Sequence, residues 1–188
     1  MTYKHLSFVS LFAVAALSAS AQRNVENFNF GWQFHRGNID VTAINTSDGS
    51  WETINVPHDF QISQPWVAPA ANESEDNSDG ASNFKSRLSA RGFKEMGDGW
   101  YVKTYTPAAD MKGRRILLDF EGIMYVGDVY LNGKRIGGTD YGYLGFDIDV
   151  SKLLKYGQAN TIAVHASTSG PLNSRWYTPG RLYRDVKL

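Results

Sequence analysis

Short runs of alternating apolar and polar residues, separated by turn residues, recur along almost the whole chain. The run GWYVKTYTP, residues 99–107, alternates without interruption, so that one face carries Trp100, Val102 and Thr104 and the other carries Tyr101, Lys103 and Tyr105. No long amphipathic helical pattern occurs in the sequence. Because alternation at period two is the pattern of a half-buried strand, the sequence predicts an all-β fold, an antiparallel sandwich or barrel.

The dipeptide Asn132-Gly133 is the clearest single turn signal in the chain. It separates VYL from KRIGG, and Asn-Gly suits the positive φ angles of a two-residue type I′ hairpin turn. Near residue 30, aromatic residues at every second position predict one buried strand face, with a binding face as the alternative: Phe28, Phe30, Trp32 and Phe34. FDIDVSKLLKYG predicts a strand and then one helical turn capped by Ser151.

The first 21 residues predict a secretory signal peptide. Lys4 and His5 precede the apolar run 6–17, and Ala19 and Ala21 have the spacing that a signal peptidase recognises. The apolar run is too short to span a bilayer, and a buried N-terminal helix is the alternative. We therefore expect a secreted or periplasmic product, with a single domain over residues 22–188 and no membrane partner after cleavage.

The net charge and the absence of cysteine exclude several classes of partner and of chemistry. The formal net charge is zero, so the chain has no electrostatic reason to bind nucleic acid or an anionic membrane. The absence of cysteine excludes disulfides, thiolate metal sites and cysteine catalysis.

A polar, acidic segment over residues 68–85 predicts a long mobile loop. Carboxylates within 72–80 could hold calcium, but they lack the ligand order of a dedicated calcium loop. Asn45 and Asn72 begin glycosylation sequons, which matter only in a source that glycosylates.

The residues alone indicate no catalytic, metal or cofactor site. Glu121 lies in an apolar run with Asp119 two positions away, and we expect a carboxylate hydrogen-bonded to a neighbouring loop rather than a catalytic pair. His35, His58 and His165 lack metal-ligand spacing. No G-x-S-x-G, HExxH or phosphate-binding glycine loop is present.

Six segments, in order, resemble the N-terminal sugar-binding domain of glycoside hydrolase family 2, the family of β-galactosidases and β-glucuronidases. They are FNFGWQFHRGN, VPHDF, GWYVKTYTP, DFEGIMYVGDVYLNGKRIGG, YGYLGFDIDVSKLLKYGQANTIAVHAS and NSRWYTPGRLYRDVKL. Three positions depart from the family's pattern. Phe60 replaces a tryptophan, Val102 replaces an arginine, and Arg181 replaces a glycine that in this chain comes one position earlier, at Gly180.

The resemblance implies a jelly-roll β-sandwich of the galactose-binding-like type. In the family the catalytic carboxylates lie on a later (β/α)₈ barrel, after an immunoglobulin-like domain, and this chain resembles neither. The closing segment would lend a rim loop to the barrel's active site through Asn173, Ser174, Arg175 and Trp176. No catalytic or metal residue and no cofactor is implied for this chain.

Several residues near the closing segment also have structural interpretations. Trp176 and Tyr177 could instead pack beneath the last strand, and Arg184 is expected to be a strand-end salt-bridge partner. We interpret His58-Asp59 as a hydrogen-bonded corner after Pro57.

Three functions remain open from the sequence. The first is a piece of a secreted family-2 hydrolase of β-galactosidase type, which contacts carbohydrate and downstream domains in its parent and hydrolyses nothing alone. The second is a free-standing carbohydrate-binding module, and the third is a folded gene remnant. The end of the chain directly after the last predicted strand favours the first.

Overall fold

The computed structural model of the chain describes residues 23–66, 94, 97–168 and 180–188. The predicted signal peptide and almost all of the predicted mobile loop lie outside these residues. Within them, no helix is both long enough and apolar enough to cross a bilayer.

The described residues form three open antiparallel sheets. The large sheet has the strand order β2-β1-β4-β10-β7-β8, and the smaller ones have the orders β3-β11-β6 and β12-β5-β9. The strands are β1 (Trp32–Arg36), β2 (Glu52–Ile54), β3 (His58–Asp59), β4 (Asp98–Tyr105), β5 (Leu117–Phe120), β6 (Ile123–Met124), β7 (Val126–Leu131), β8 (Lys134–Thr139), β9 (Phe146–Asp149), β10 (Asn160–Ser167), β11 (Arg181–Leu182) and β12 (Val186–Lys187). Two short 3-10 helices, Val41–Ala43 and Ala109–Met111, are the helical elements described.

One hydrophobic core lies between the large sheet and the two small ones. It joins residues of the large sheet, such as Trp32, Tyr101 and Val164, to residues of the small sheets, such as Phe120 and Leu182. All five are almost completely buried. The all-β sandwich predicted from the alternation is therefore confirmed, and its jelly-roll connectivity stays a prediction.

Strand β4 is covered on both faces, whereas its alternation predicts a half-buried strand. Tyr101 belongs to the main core, whereas Trp100 and Val102 form a second cluster with Ala163 on the outer face. Apolar side chains of the connection 37–51 pack over this second cluster. Burial on both faces explains why this strand carries large apolar residues at successive positions.

The turn between β7 and β8 has the predicted geometry. Asn132 has φ +51° and Gly133 has φ +80°, and Leu131 pairs with Lys134 across the turn. Both central residues therefore have the positive φ of a type I′ turn.

Two local predictions are wrong. Phe30 is 63% exposed, unlike Phe28, Trp32 and Phe34, because β1 begins only at Trp32 and residues 30 and 31 form a bend. Ser151 caps no helix, since residues 151–153 form a turn in which the Asp149 side chain accepts hydrogen bonds from the backbone N and Oγ of Ser151. Asp149, rather than Ser151, therefore supplies the side-chain acceptor of this turn.

Candidate functional site

The three longest connections of the sandwich, 37–51, 60–97 and 168–180, meet at one end, which we call the loop end. By the antiparallel registers, β1, β8 and β10 finish at this end, and β4 and β7 begin there. The connections that leave from it comprise residues 37–51, 60–97, 140–145 and 168–180. Because connecting segments carry function more often than the strands that position them, the loop end is the candidate site.

The connection 168–180 is fixed where it leaves the sandwich. The backbone N of Thr168 donates to the carbonyl of Gly97 at 2.9 Å, and Thr168 Oγ1 accepts from the Gly97 N at 2.9 Å. Thr168 is completely buried. Strand β10 is thereby tied to the start of β4 at the point where the connection begins.

The same connection is fixed where it returns. Gln61 is completely buried, and its Oε1 accepts a hydrogen bond from the Gly180 N at 2.6 Å. A Cβ on Gly180 would lie 2.4 Å from Phe60 Cζ and 2.5 Å from Thr168 Cγ2. Residues 168 and 180 are therefore neighbours in space, so the intervening segment leaves and re-enters the sandwich at one place.

The predicted rim residues Asn173, Ser174, Arg175 and Trp176 belong to that intervening segment and lie outside the described residues. Their predicted role therefore stays a prediction. Tyr177 and the carboxylates of the proposed calcium segment 72–80 also lie outside. Among the sequons, Asn45 is exposed.

His58 forms a partly buried structural contact, as expected for the hydrogen-bonded corner after Pro57. Its Nδ1 lies 3.1 Å from the Tyr101 hydroxyl, and its ring contacts Phe34. Burial lowers the pKa of His58 from its ordinary value. Asp59 Oδ1 accepts from the Gln61 N at 3.0 Å, which holds the chain in the turn that carries Gln61.

Three side chains are aligned across the outer face of the large sheet: His35, Trp100 and His165. Trp100 stacks on His165 with ring centroids 4.8 Å apart, and His165 Nε2 lies 3.1 Å from Asp98 Oδ1. The buried Nδ1 of His35 and Nε1 of Trp100 have no hydrogen-bond partner among the described residues. In the same part of the chain, no group of three or more His, Asp or Glu side chains is arranged to hold a metal ion.

Glu121, directly after β5, forms an ion pair with Lys187. Its Oε1 accepts a hydrogen bond from Lys187 Nζ on β12, and this bond raises the pKa of Lys187. The expectation of a hydrogen-bonded structural carboxylate is thus confirmed, although the partner lies on a strand rather than a loop. The salt bridge expected for Arg184 is absent, since no carboxylate of the described residues pairs with it. Its guanidinium lies instead 5.0 Å from the centre of the Tyr183 ring.

A groove of about 860 Å³ lies along β5, β9 and residues 23–26. Its charged lining carries both signs: Arg23, Glu26, Arg114, Arg115, Asp119, Asp147 and Lys187. It lies beside the small sheet β12-β5-β9, and Gly145, at the end of the connection 140–145, is its one lining residue from the connections of the loop end. A groove of mixed charge favours no single class of ligand.

No sequence pattern predicts the exposure of the aromatic side chains at the loop end. Trp66 is 73% exposed at the end of the turn after β3, and Tyr141 and Tyr143 are 45% and 42% exposed between β8 and β9. Likewise, no sequence pattern indicates that Gln61 accepts a hydrogen bond from Gly180. No periodicity identifies such residues, because none of them lies within a strand.

Comparison with known proteins assigns the family. The family model described as "Glycosyl hydrolase 2 galactose-binding domain-like" matches residues 85–174. A putative β-glucuronidase of Formosa agariphila is 34% identical over 89% of this chain. The β-galactosidase BoGH2A of Bacteroides ovatus is 29% identical over 94% of it.

A solved β-glycosidase structure from Bacteroides vulgatus superimposes with a TM-score of 0.68 at 30% identity over 88% of this chain. The chain spans only 15%, 19% and 20% of the length of these three proteins, respectively. The two relatives and the solved structure each match about nine tenths of this chain. The chain therefore belongs to glycoside hydrolase family 2, as a galactose-binding domain-like N-terminal domain of that family.

Proposed function

We propose that this chain is the first domain of a longer, secreted family-2 glycoside hydrolase of β-galactosidase type. It would act as a scaffold and supply the Asn173–Trp176 segment to the rim of the parent active site. The observation that carries the proposal is the match over about nine tenths of this chain to proteins more than four times its length. Carbohydrate and the downstream domains of the parent would be its partners.

The anchors at Thr168 and Gly180 support the proposed rim. Both ends of the connection are hydrogen-bonded into the sandwich, so the segment that carries Asn173–Trp176 begins and ends at the loop end. Arg175 can donate several hydrogen bonds to sugar hydroxyls, and Trp176 can stack on a sugar ring. The catalytic carboxylates of a glycosidase would then lie outside this chain.

The proposal is tested by two measurements of nitrophenol release. The purified chain should release none from nitrophenyl β-galactoside or nitrophenyl β-glucuronide above the buffer blank. In the longer protein, Arg175→Ala and Trp176→Ala should each lower kcat/KM about tenfold, the loss expected when one contact worth about 1.4 kcal/mol is removed. Comparison of the two substrates also tests the β-galactosidase assignment.

Arg115→Ala is the matched control. Arg115 makes an exposed ion pair with Asp149 at 3.3 Å, away from the loop end, and such pairs contribute little to stability. Hydrolysis by the purified chain would contradict the proposal. So would rim variants of the longer protein with the kinetics of the Arg115→Ala control.

A free-standing carbohydrate-binding module is the second candidate. The exposed aromatic side chains Trp66, Tyr141 and Tyr143 favour it, because such modules bind sugars on exposed rings. A native product no larger than this chain that binds saccharide would favour the module over the hydrolase domain.

A further inference from the structure

Three large apolar side chains of the connection between β8 and β9 are exposed together. Tyr141, Tyr143 and Leu144 are 45%, 42% and 65% exposed, and the centres of the two tyrosine rings are 5.6 Å apart. We call these three side chains the 141–144 patch. Because clustered apolar side chains gain free energy when another surface covers them, such patches mark interaction sites.

The backbone that carries the patch is held against the small sheets. Tyr183 Oη donates to the carbonyl of Gly142 at 2.9 Å. A Cβ on Gly142 would lie only 2.4 Å from Met124 Sδ. A Cβ on Gly145 would lie 3.1 Å from the carbonyl oxygen of Phe120. The backbone therefore contacts the sandwich closely within the patch and directly after it, so binding orders little additional backbone.

The patch borders the position of Leu188. Gly145, directly after the patch, and Leu188 both line the groove beside β12-β5-β9. Leu188 is tied there by two backbone hydrogen bonds with Glu26, at 2.8 and 3.0 Å. In the longer protein that we propose, the chain continues from Leu188, so the next domain is tethered beside the patch. A tether of this kind gives the next domain a high effective concentration at the patch.

Arg184 places a positive charge next to the patch. Its side chain is exposed, and its guanidinium lies 5.0 Å from the centre of the ring of Tyr183, which bonds to Gly142. No carboxylate of the described residues pairs with it. Tyrosine and arginine are among the side chains that most often anchor protein interfaces, and an arginine in an interface is complemented by an acidic group of the partner.

The form of the patch favours a protein surface over a small ligand. None of its three side chains lines the groove, and they are exposed on a connection rather than enclosed in a cleft. Small ligands are bound in concave sites that cover most of their surface. Interfaces between domains of one chain can instead form on open surfaces that combine apolar and polar side chains.

We propose that the 141–144 patch is the docking surface for the domain that follows Leu188 in the longer protein. The docked domain presents an apolar surface to the patch and a carboxylate to Arg184. The inference rests on the proposed function, because that function supplies the docked domain.

Hydroxyl-radical footprinting of the native product and of the purified chain tests the inference, with the mass of the native product measured on the same sample. We expect Tyr141 and Tyr143 to be oxidised at least about fivefold more slowly in the longer protein, because the centre of an interface excludes water. Phe30 is the internal control. It is an exposed aromatic residue just before β1, opposite the loop end, and should be oxidised equally in both proteins.

Substitutions at the patch test the contact itself. In the purified chain, Leu144→Ser should leave the urea midpoint unchanged, because this side chain is 65% exposed. In the longer protein it should raise the oxidation of Tyr141 towards the rate in the purified chain. Arg184→Glu should also raise it, since it opposes two negative charges, whereas the control Phe30→Ser should leave it unchanged.

Each contrary outcome has a separate meaning. Equal oxidation of the patch in the purified chain and in a native product several times larger overturns the inference and leaves the proposed function intact. So does a longer protein in which neither Leu144→Ser nor Arg184→Glu raises the oxidation of Tyr141. A native product no larger than 21.0 kDa overturns the proposed function and the inference together. A purified chain that dimerises, and that Leu144→Ser makes monomeric, assigns the patch to a second copy and overturns the inference alone.

Discussion

Gly180 lies at the closest approach between the closing segment and the sandwich. Its backbone N is bonded to the buried Gln61, and Phe60 and Thr168 occupy the space that a side chain would need. We expect Gly180→Ala to lower the free energy of unfolding by about 1–3 kcal/mol, the usual cost of overpacking a core position. Urea denaturation followed by tryptophan fluorescence would measure the change.

Gly97→Ala is the matched control for this substitution. Gly97 belongs to the same anchor, but the nearest atom to an added Cβ is the end of the Arg36 side chain, 4.0 Å away. The control should stay within about 0.5 kcal/mol of the unmodified chain. Equal urea midpoints for all three proteins would show that Gly180 is not tightly packed.

His58 makes stability depend on pH. Burial lowers its pKa in the folded chain, whereas in the unfolded chain it titrates near its ordinary value of about 6.5. Below that value the unfolded state binds a proton that the folded state resists. The contribution of neutral His58 is therefore complete above about pH 6.5 and is lost as the pH falls.

The free energy of unfolding should accordingly fall between about pH 6.5 and 5, and His58→Gln should make this fall shallower. Urea midpoints over that range, in both proteins, measure the difference. Carboxylates and the other histidines are common to both proteins, so they cancel in the comparison. Parallel pH profiles would exclude His58 as the source.

The sequence predicts burial correctly for residues that lie within strands and poorly for residues that lie outside them. Trp32 and Phe34 belong to β1 and are buried as predicted, whereas Phe30, two positions earlier, lies in a bend and is exposed. Gln61 and Trp66 lie in a turn, where no period relates position to side-chain direction. Their roles follow from tertiary contacts alone.

The bottom of the large sheet, opposite the loop end, depends on one buried side chain. Asn160, at the start of β10, is completely buried. Its Nδ2 donates to the carbonyls of Lys155 and Gln158 at 2.9 and 3.0 Å, and its Oδ1 accepts from Asn132 Nδ2 at 3.0 Å. Asn160 thereby joins the β7–β8 turn to the connection that precedes β10.

Asn160→Ala should lower the free energy of unfolding by about 1–3 kcal/mol, because it leaves buried polar groups without partners. Asn45→Ala is the control, since Asn45 is exposed and bonds only within its own turn. Thermal unfolding followed by circular dichroism would compare the two. Equal midpoints would contradict the role assigned to Asn160.

Element lengths explain which strands could be predicted. β4, β7 and β10 have six or eight residues, enough for alternation to be visible. β3, β6, β11 and β12 have two residues each, and two residues define no period. The pairing of β3 with β11, which fixes the closing segment, therefore could not be predicted from the pattern.

At the scale of the whole molecule, the two ends of the sandwich differ. The β7–β8 turn and the Asn160 contacts close one end, and the three longest connections meet at the other. Alternation predicts that a sandwich forms. The position of the candidate site depends instead on which strands begin or finish at the same end of the sandwich. The proposed rim role of Asn173–Trp176 came from family resemblance, because residues in a connection carry no periodic signal.

The central claim is that this chain is one domain of a longer hydrolase. The most direct test is the mass of the native product, detected in its source with an antibody raised against the sandwich. We predict a band several times larger than 21.0 kDa, since the chain spans 15% to 20% of its relatives described above. A single band at or just below 21.0 kDa would contradict the claim and leave sugar binding by the isolated sandwich as the function to test.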